Sequence, residues 1–162
     1  MPNFFQASEL LSASIRIEKN GEAFYREIGR KLKEPKIVEL FEFLAVEELR
    51  HVGVFSEMLQ KIGAYEPDRE SYPGEYHAYL KTFSDNHIFN RDNIGLALAD
   101  KMHSPDEILN FAIRIELEFM FFYMGVQHYL DSPQSEVIVQ LIKEERDHYF
   151  KLFQMQNGLM SS

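Results

Sequence analysis

Two glutamates and two histidines stand at matched spacing in this sequence: Glu48 with His51, and Glu145 with His148, three residues apart in each pair. At helical pitch that step puts both side chains on one face. Each pair thus offers a carboxylate oxygen and an imidazole nitrogen to a common point, a donor set that suits several divalent metals. A lone Glu-x-x-His is weak, since the two residue types meet at that spacing on many solvated helix faces. Asp100-x-x-His103 is such a case and has no matching partner.

The pairs gain weight from an internal repeat. Ile15-Arg16-Ile17-Glu18, followed by Phe24-Tyr25, returns as Ile113-Arg114-Ile115-Glu116, followed by Phe122-Tyr123, at an offset of 98. Glu47-Glu48-x-x-His51 returns as Glu144-Glu145-x-x-His148 at an offset of 97. Two versions of one helical hairpin, packed about a pseudo-two-fold axis, would bring Glu18, Glu48, Glu116 and Glu145 together with both imidazoles. Four carboxylates in an apolar core either take up protons or sit among cations, because unpaired buried charges cost several kcal/mol each. Two divalent ions would balance them.

The elements that must position these groups are legible from periodicity and punctuation. Residues 6–32 read as a first helix with Leu11, Ile15, Glu18, Glu22, Tyr25 and Leu32 near one face, and Glu34-Pro35 ends it. A second helix over 35–62 carries Ile37, Phe41, Leu44, Glu48, His51, Phe55 and Leu59 on one stripe and stops at Gly63. A crossover of about forty residues over 64–103 follows, with short helices expected at Glu75 to Phe83 and Asn93 to Met102. Ser104-Pro105-Asp106-Glu107 opens a third long helix over 105–130, with Ser as N-cap. Ser132-Pro133 opens a fourth over 133–157, with Gly158 as its stop. Four long helices, two short turns and one long crossover describe an all-α bundle in a single domain over 1–162.

Composition narrows the function classes. At 162 residues roughly 70% of the unfolded chain's surface can be buried, so a real core is expected. A net charge of -9 argues against nucleic acid or an anionic membrane as main partner. Without cysteine there is no thiolate metal site and no iron–sulfur centre, so a metal must be held by oxygen and imidazole. The N-terminus lacks the pattern of a signal peptide, and the apolar stretch from Leu117 to Leu130 is shorter than the ~20 residues of a membrane span. A cytoplasmic location is the expectation.

The sequence resembles the ferritin-like di-iron superfamily, and within it the rubrerythrin-like branch. The resemblance covers residues 6 to 157 and is carried by Ile17-Glu18-Lys19-Asn20-Gly21-Glu22-Ala23-Phe24-Tyr25 and by residues Glu39 to His51, above all Glu47-Glu48-Leu49-Arg50-His51. It implies a ferritin-like up-down-down-up four-helix bundle holding two iron ions that react with peroxide or dioxygen, as in defence against oxidative stress. Carried over, Glu48 and Glu145 bridge the metals, Glu18 and Glu116 bind terminally, and His51 and His148 each supply one nitrogen. Tyr25 and Tyr123, two turns along the same faces, can hydrogen-bond a ligand carboxylate. Glu47 and Glu144 can accept the free ring N–H of the opposite helix's histidine.

Two departures matter. Classical rubrerythrins add a cysteine-bound iron domain that feeds electrons to the centre; here a separate electron donor protein is implied. The peroxidase branch has an extra Glu three residues after the terminal Glu of the third helix, and that position is Phe119. Glu22, one turn from Glu18, could serve as an added ligand. The set is closer to the bare six-residue pattern of bacterioferritin-type centres, which keeps ferroxidase activity open beside peroxidase. The rival readings are iron sequestration with little turnover and a bundle used as an interaction domain; manganese or a mixed pair would also suit the ligands. Finally, the third helix carries a second apolar stripe, Phe111, Ile115, Phe119, Phe122 and Val126, which the crossover or a second subunit must cover; a homodimer is the expectation.

Overall fold

The computed structural model describes residues 4–62, 82, 86–128 and 130–160. Among these residues the helices are α1 (Phe4–Lys31), α2 (Pro35–Ile62), α3 (Ile94–Lys101), α4 (Pro105–Gln127) and α5 (Gln134–Met160). No strand occurs among the described residues, and none of their helices is long and apolar enough to cross a membrane.

Helices α1, α2, α4 and α5 form a four-helix bundle whose directions follow from which residues meet. Glu18 faces Tyr123 while Tyr25 faces Glu116, so α1 and α4 run antiparallel. His51 faces Glu144 while Glu48 faces His148, so α2 and α5 do the same. With short turns inside each hairpin, the order is up-down-down-up. The α1–α2 turn is only Leu32-Lys33-Glu34, because Pro35 has no N–H to give and suits the first helical position, while the Glu34 carbonyl accepts from Val38 at 3.0 Å.

Helix α1 is buried on a wider arc than its sequence pattern suggests. Leu11, Glu18 and Tyr25 point to the bundle interior, but Ile15, Glu22 and Leu32 are only half-buried. Ile17, Asn20 and Phe24 are buried instead, because the crossover lies against that flank. On α2 the stripe holds as far as Phe55, after which Met58 rather than Leu59 turns inward.

Among the described residues, three side chains of α1 fasten the crossover: Arg16 to Asn90, Lys31 to Ala99 and Asp100, and Asn20, the buried one. Asn20 Nδ2 donates to the carbonyls of Phe89 at 2.6 Å and Arg91 at 2.7 Å, and its Oδ1 accepts from the Gly95 N–H at 3.0 Å. Gly95 is required there: a Cβ would lie 2.1 Å from the Asn20 carbonyl oxygen. Phe89, fully buried, meets Phe24 at 5.8 Å and both Phe111 and Phe119 at 6.0 Å between ring centroids. His87 stacks on Phe119 and meets the edge of Phe122. The second apolar stripe of α4 is thus covered from within the chain, which removes the reason that stripe offered for a second subunit.

Two expected helix ends need correcting, and one expected cap holds its position without its bond. Ser104 stands at the N-cap of α4 with extended backbone, yet its side chain makes no cap bond; Pro105 supplies the start. Helix α4 ends at Gln127, short of residue 130. Helix α5 continues through Gly158 to Met160, since one glycine costs a helix only about 1 kcal/mol and does not by itself end it. Of the two short crossover helices, the second is α3; the first, Glu75 to Phe83, lies outside the described residues apart from Thr82.

Candidate metal centre

Glu18 on α1, Glu116 on α4, Glu48 and His51 on α2, and Glu145 and His148 on α5 meet at the middle of the bundle, none more than 1% exposed. The three-residue spacing places each Glu-x-x-His pair on the inner face of its helix, and the antiparallel packing of α2 on α5 sets the pairs opposite one another. The two imidazoles lie 5.8 Å apart, nearly parallel.

Both histidines turn Nδ1 inward. His51 Nδ1 lies 3.0 Å from Glu145, 3.3 Å from Glu48 and 3.5 Å from Glu18. His148 Nδ1 lies 3.0 Å from Glu145 and 3.6 Å from both Glu48 and Glu116. Two groups of donor atoms result, each with all its atoms within 4.8 Å of one another: Glu18, Glu48, His51 and Glu145, and Glu48, Glu116, Glu145 and His148. Glu48 and Glu145 belong to both.

Burial raises the Glu18 and Glu116 carboxyls well above the usual carboxylate range, and the Glu48 charge beside them adds to it. Glu48 and Glu145 are desolvated as fully, yet the two imidazoles facing them, with the Glu18 carboxyl beside Glu48, hold both below their usual value. Burial alone would push His51 and His148 down, but the carboxylates around Nδ1 keep both well above the ordinary imidazole value. Left to itself the cluster offsets carboxylate charge with protons, toward which the raised values of Glu18, Glu116, His51 and His148 all point.

That balance leaves bonds unmade. Glu18 Oε2, both oxygens of Glu48, Glu116 Oε2, Glu145 Oε1 and His51 Nδ1 have no hydrogen-bond partner among the described residues. Each such buried group costs about 1–3 kcal/mol. Oxygen lone pairs and an inward imidazole nitrogen, converging and unsatisfied, are what two divalent cations would occupy, so the donor set fits a pair of metal ions.

The surrounding residues hold these ligand candidates. Tyr25, on α1, donates its hydroxyl to Glu116 of α4, and Tyr123, on α4, donates to Glu18 of α1. Each tyrosine serves the other hairpin's glutamate. Burial, and then the nearby carboxylates, raise both phenols well above their usual value, so they stay protonated donors. His51 Nε2 lies 3.0 Å from Glu144, which can only accept, and 3.3 Å from the Arg50 guanidinium, which can only donate; with a metal on Nδ1 the ring N–H would sit on Nε2 and point to Glu144. The matching contact, His148 Nε2 to Glu47, is 3.8 Å and too long for a hydrogen bond. Glu22 is not in the cluster: it pairs with Arg26 at 2.6 Å.

Phe119, one turn beyond Glu116, is fully buried and stacks with Tyr123, so an aromatic ring and not a carboxylate stands at this position. Gly21 makes room for it, since a Cβ there would come within 3.2 Å of the Phe119 ring and 3.5 Å of Glu48. Behind Phe119 lies His87, whose Nδ1 accepts from the Phe89 N–H at 3.2 Å; burial lowers its pKa to about 4, so it is neutral. Sequence reasoning missed Asn20, Arg50 and His87 as supports. Asn20 and Arg50 lay within the very stretches that carry the pattern, but nothing local says what a polar side chain will meet from another element.

The family model described as Rubrerythrin matches residues 9–102. Among solved structures, the fold is similar to that of a Thermotoga maritima protein assigned as a ferritin-like diiron-carboxylate protein. The two are 24% identical over 93% of this chain and 94% of the other, with a TM-score of 0.64.

Proposed function

We propose, because this chain belongs to the rubrerythrin family, that its buried cluster holds two iron ions that react with peroxide or dioxygen. One observation carries the reading: Glu48 and Glu145 lie in both four-residue groups, as carboxylates shared by two ions must. Glu18 and His51 would complete one ion's set, and Glu116 and His148 the other's. Two Fe(II) ions, when bound, supply one electron each to the oxidant.

The residues of the chain do the rest. Four carboxylates offset the charge of two divalent ions, so loading releases the protons the empty cluster carries. Tyr25 and Tyr123 fix the rotamers of Glu116 and Glu18 and can give a hydrogen bond as charge shifts. Glu144 holds the His51 tautomer. The rings of Phe119, Phe55 and Phe41 close the cluster's apolar surroundings and exclude water. With no cysteine in the 162 residues, electrons would return from a donor outside them.

Phe119 favours a second reading, in which the six-residue set oxidises or holds iron with little peroxide turnover. Anaerobic reconstitution with Fe(II), metal counting, and rapid mixing with peroxide and with dioxygen separate the two. Two ions per chain, oxidised faster by peroxide than free Fe(II) is, is the expected result. Two ions oxidised no faster than free iron by either oxidant would leave a binding protein, and fewer than two would end the di-iron reading.

A further inference from the structure

The repeat that builds the centre is broken just outside it. At an offset of 97, Glu47 matches Glu144 and His51 matches His148, but Arg50 matches Asp147 and Phe43 matches Gln140. The two histidines therefore meet different surroundings. On the His51 side, Glu144 stands 3.0 Å from Nε2, placed to accept a ring N–H there, and is itself held twice: by the Arg50 guanidinium and by Gln140 Nε2 at 3.3 Å. Arg50 also reaches Glu47 at 3.2 Å, so it ties α2 to α5 across the outer edge of the centre. On the His148 side, Glu47 stands 3.8 Å from the ring nitrogen. The edge of Phe43 covers this imidazole at 6.0 Å, with the Lys151 ammonium 4.9 Å above the Phe43 ring. Asp147 is exposed and, being an acid, cannot tie two carboxylates together.

We propose that Arg50 is a positioning residue that makes the two halves of the metal centre inequivalent. By fixing Glu144 on His51 it creates a preorganised half, Glu18 with His51, that fills first, and it leaves Glu116 with His148 as the labile half. The inference rests on the di-metal reading and adds to it an order of filling and the residue that sets that order. The physical reason is the outer hydrogen bond: a carboxylate that accepts a ligating histidine's N–H fixes its tautomer and raises its basicity, and losing such a partner costs about 10–100-fold in metal affinity. Among the described residues His51 Nε2 has a carboxylate within hydrogen-bond distance and His148 Nε2 does not. Arg50 itself stands 3.3 Å from His51 Nε2, but its charge does not reverse the preference, because Glu47 and Glu144 both face it.

The test is an anaerobic titration of the metal-free chain with Co(II) alone, followed by its visible absorption. The wild type is expected to bind two ions in separable steps, with His51→Ala removing the tighter step and His148→Ala the weaker. Glu144→Gln should weaken the tighter step by about 10–100-fold and Arg50→Gln by about tenfold. Arg50→Lys should recover part of the loss, while Asp147→Asn changes neither step. In the Co(II) form the shifted N–H resonance of His51 should exchange slowly with solvent and that of His148 quickly, and Arg50→Gln should make both quick. If Arg50→Gln does not fold, Glu144→Gln and Arg50→Lys test the same link. No Co(II) binding at all would remove the metal reading itself. Two ions bound with equal affinity, or a tighter step untouched by both Glu144→Gln and the Arg50 variants, would overturn the inference and leave that reading in place.

Discussion

The α1–α4 flank of the bundle and the α2–α5 flank enclose the same cluster but are built from opposite materials. The α1–α4 flank supplies Glu18 and Glu116, each tied to a buried tyrosine, and is sealed by Phe24, Phe89, Phe119, Phe122 and His87 under the crossover. The α2–α5 flank supplies both histidines and passes at once to Glu47, Arg50 and Glu144, whose side chains are 22%, 44% and 22% exposed. Apolar residues on that outer face, among them Val46, Leu49 and Phe150, are left in solvent. The difference teaches a division of labour: the aromatic flank holds carboxylates in low dielectric, and the charged flank gives the imidazoles a short route for protons to the surface.

The most severe way to break this comparison is to remove a residue common to both halves. Glu48→Ala should take metal content from two ions per chain to none, by metal analysis after anaerobic loading; a variant that still binds two would refute the shared role. Next comes pH. In the metal-free chain Glu18, Glu116, His51 and His148 all have raised pKa values, so the native state holds more protons than the unfolded chain. Stability from these groups is fully present below the unfolded carboxylate value of about 4.3 and is lost as pH rises past it and then past the unfolded imidazole value of about 6.5. Glu48 and Glu145, with lowered values, contribute the opposite dependence only at low pH. Melting of the metal-free protein should therefore move to lower temperature from pH 6 to pH 9. The loaded protein should lack that fall, and protons should be released as divalent ions bind. A flat profile without metal would mean the cluster is not proton-balanced.

Phe119→Glu puts a third carboxyl on the aromatic flank, the fifth of the cluster. Without metal it should cost about 4 kcal/mol, from the lost ring and a buried unpaired acid. Loading with Fe(II) should recover part of this and speed oxidation by peroxide; no recovery would place residue 119 out of reach of the ions. Gly95→Ala attacks the same flank from outside. Its Cβ would collide with the Asn20 carbonyl, so about 3 kcal/mol, or roughly 6–12 °C in melting temperature, should be lost while two ions still bind. Loss of metal as well would show that the crossover and the centre are one unit. Tyr25→Phe is the mildest, about 1–3 kcal/mol, for it leaves one Glu116 oxygen without its donor; an unchanged melt would show that bond to be dispensable.

Much of this was legible beforehand because it is local. Three residues make nearly one helical turn, so Glu48 with His51 and Glu145 with His148 share a face whatever the helices do next, and the repeat supplies Glu18 and Glu116 in matching places. The four long helices and the crossover follow from periodicity and from Pro35, Pro105 and Pro133. The departures arose where a second element intervenes. Ile17 and Phe24 are buried, rather than Ile15 and Leu32, because the crossover lies on α1, and no pattern within α1 records that. Gly158 passes inside a helix because a glycine only weakens what its neighbours favour.

By itself, then, the sequence determined which six side chains can converge, since helical spacing and internal repetition are properties of the chain alone. Only the tertiary structure decided that each tyrosine serves the opposite hairpin's glutamate, that Nδ1 faces inward, that Asn20 fastens the crossover, and that Arg50 ties Glu144 to one histidine but not the other. Those are matters of how helices are rotated and seated against one another, and a few ångströms of seating separate a hydrogen bond of 3.0 Å at His51 from a gap of 3.8 Å at His148.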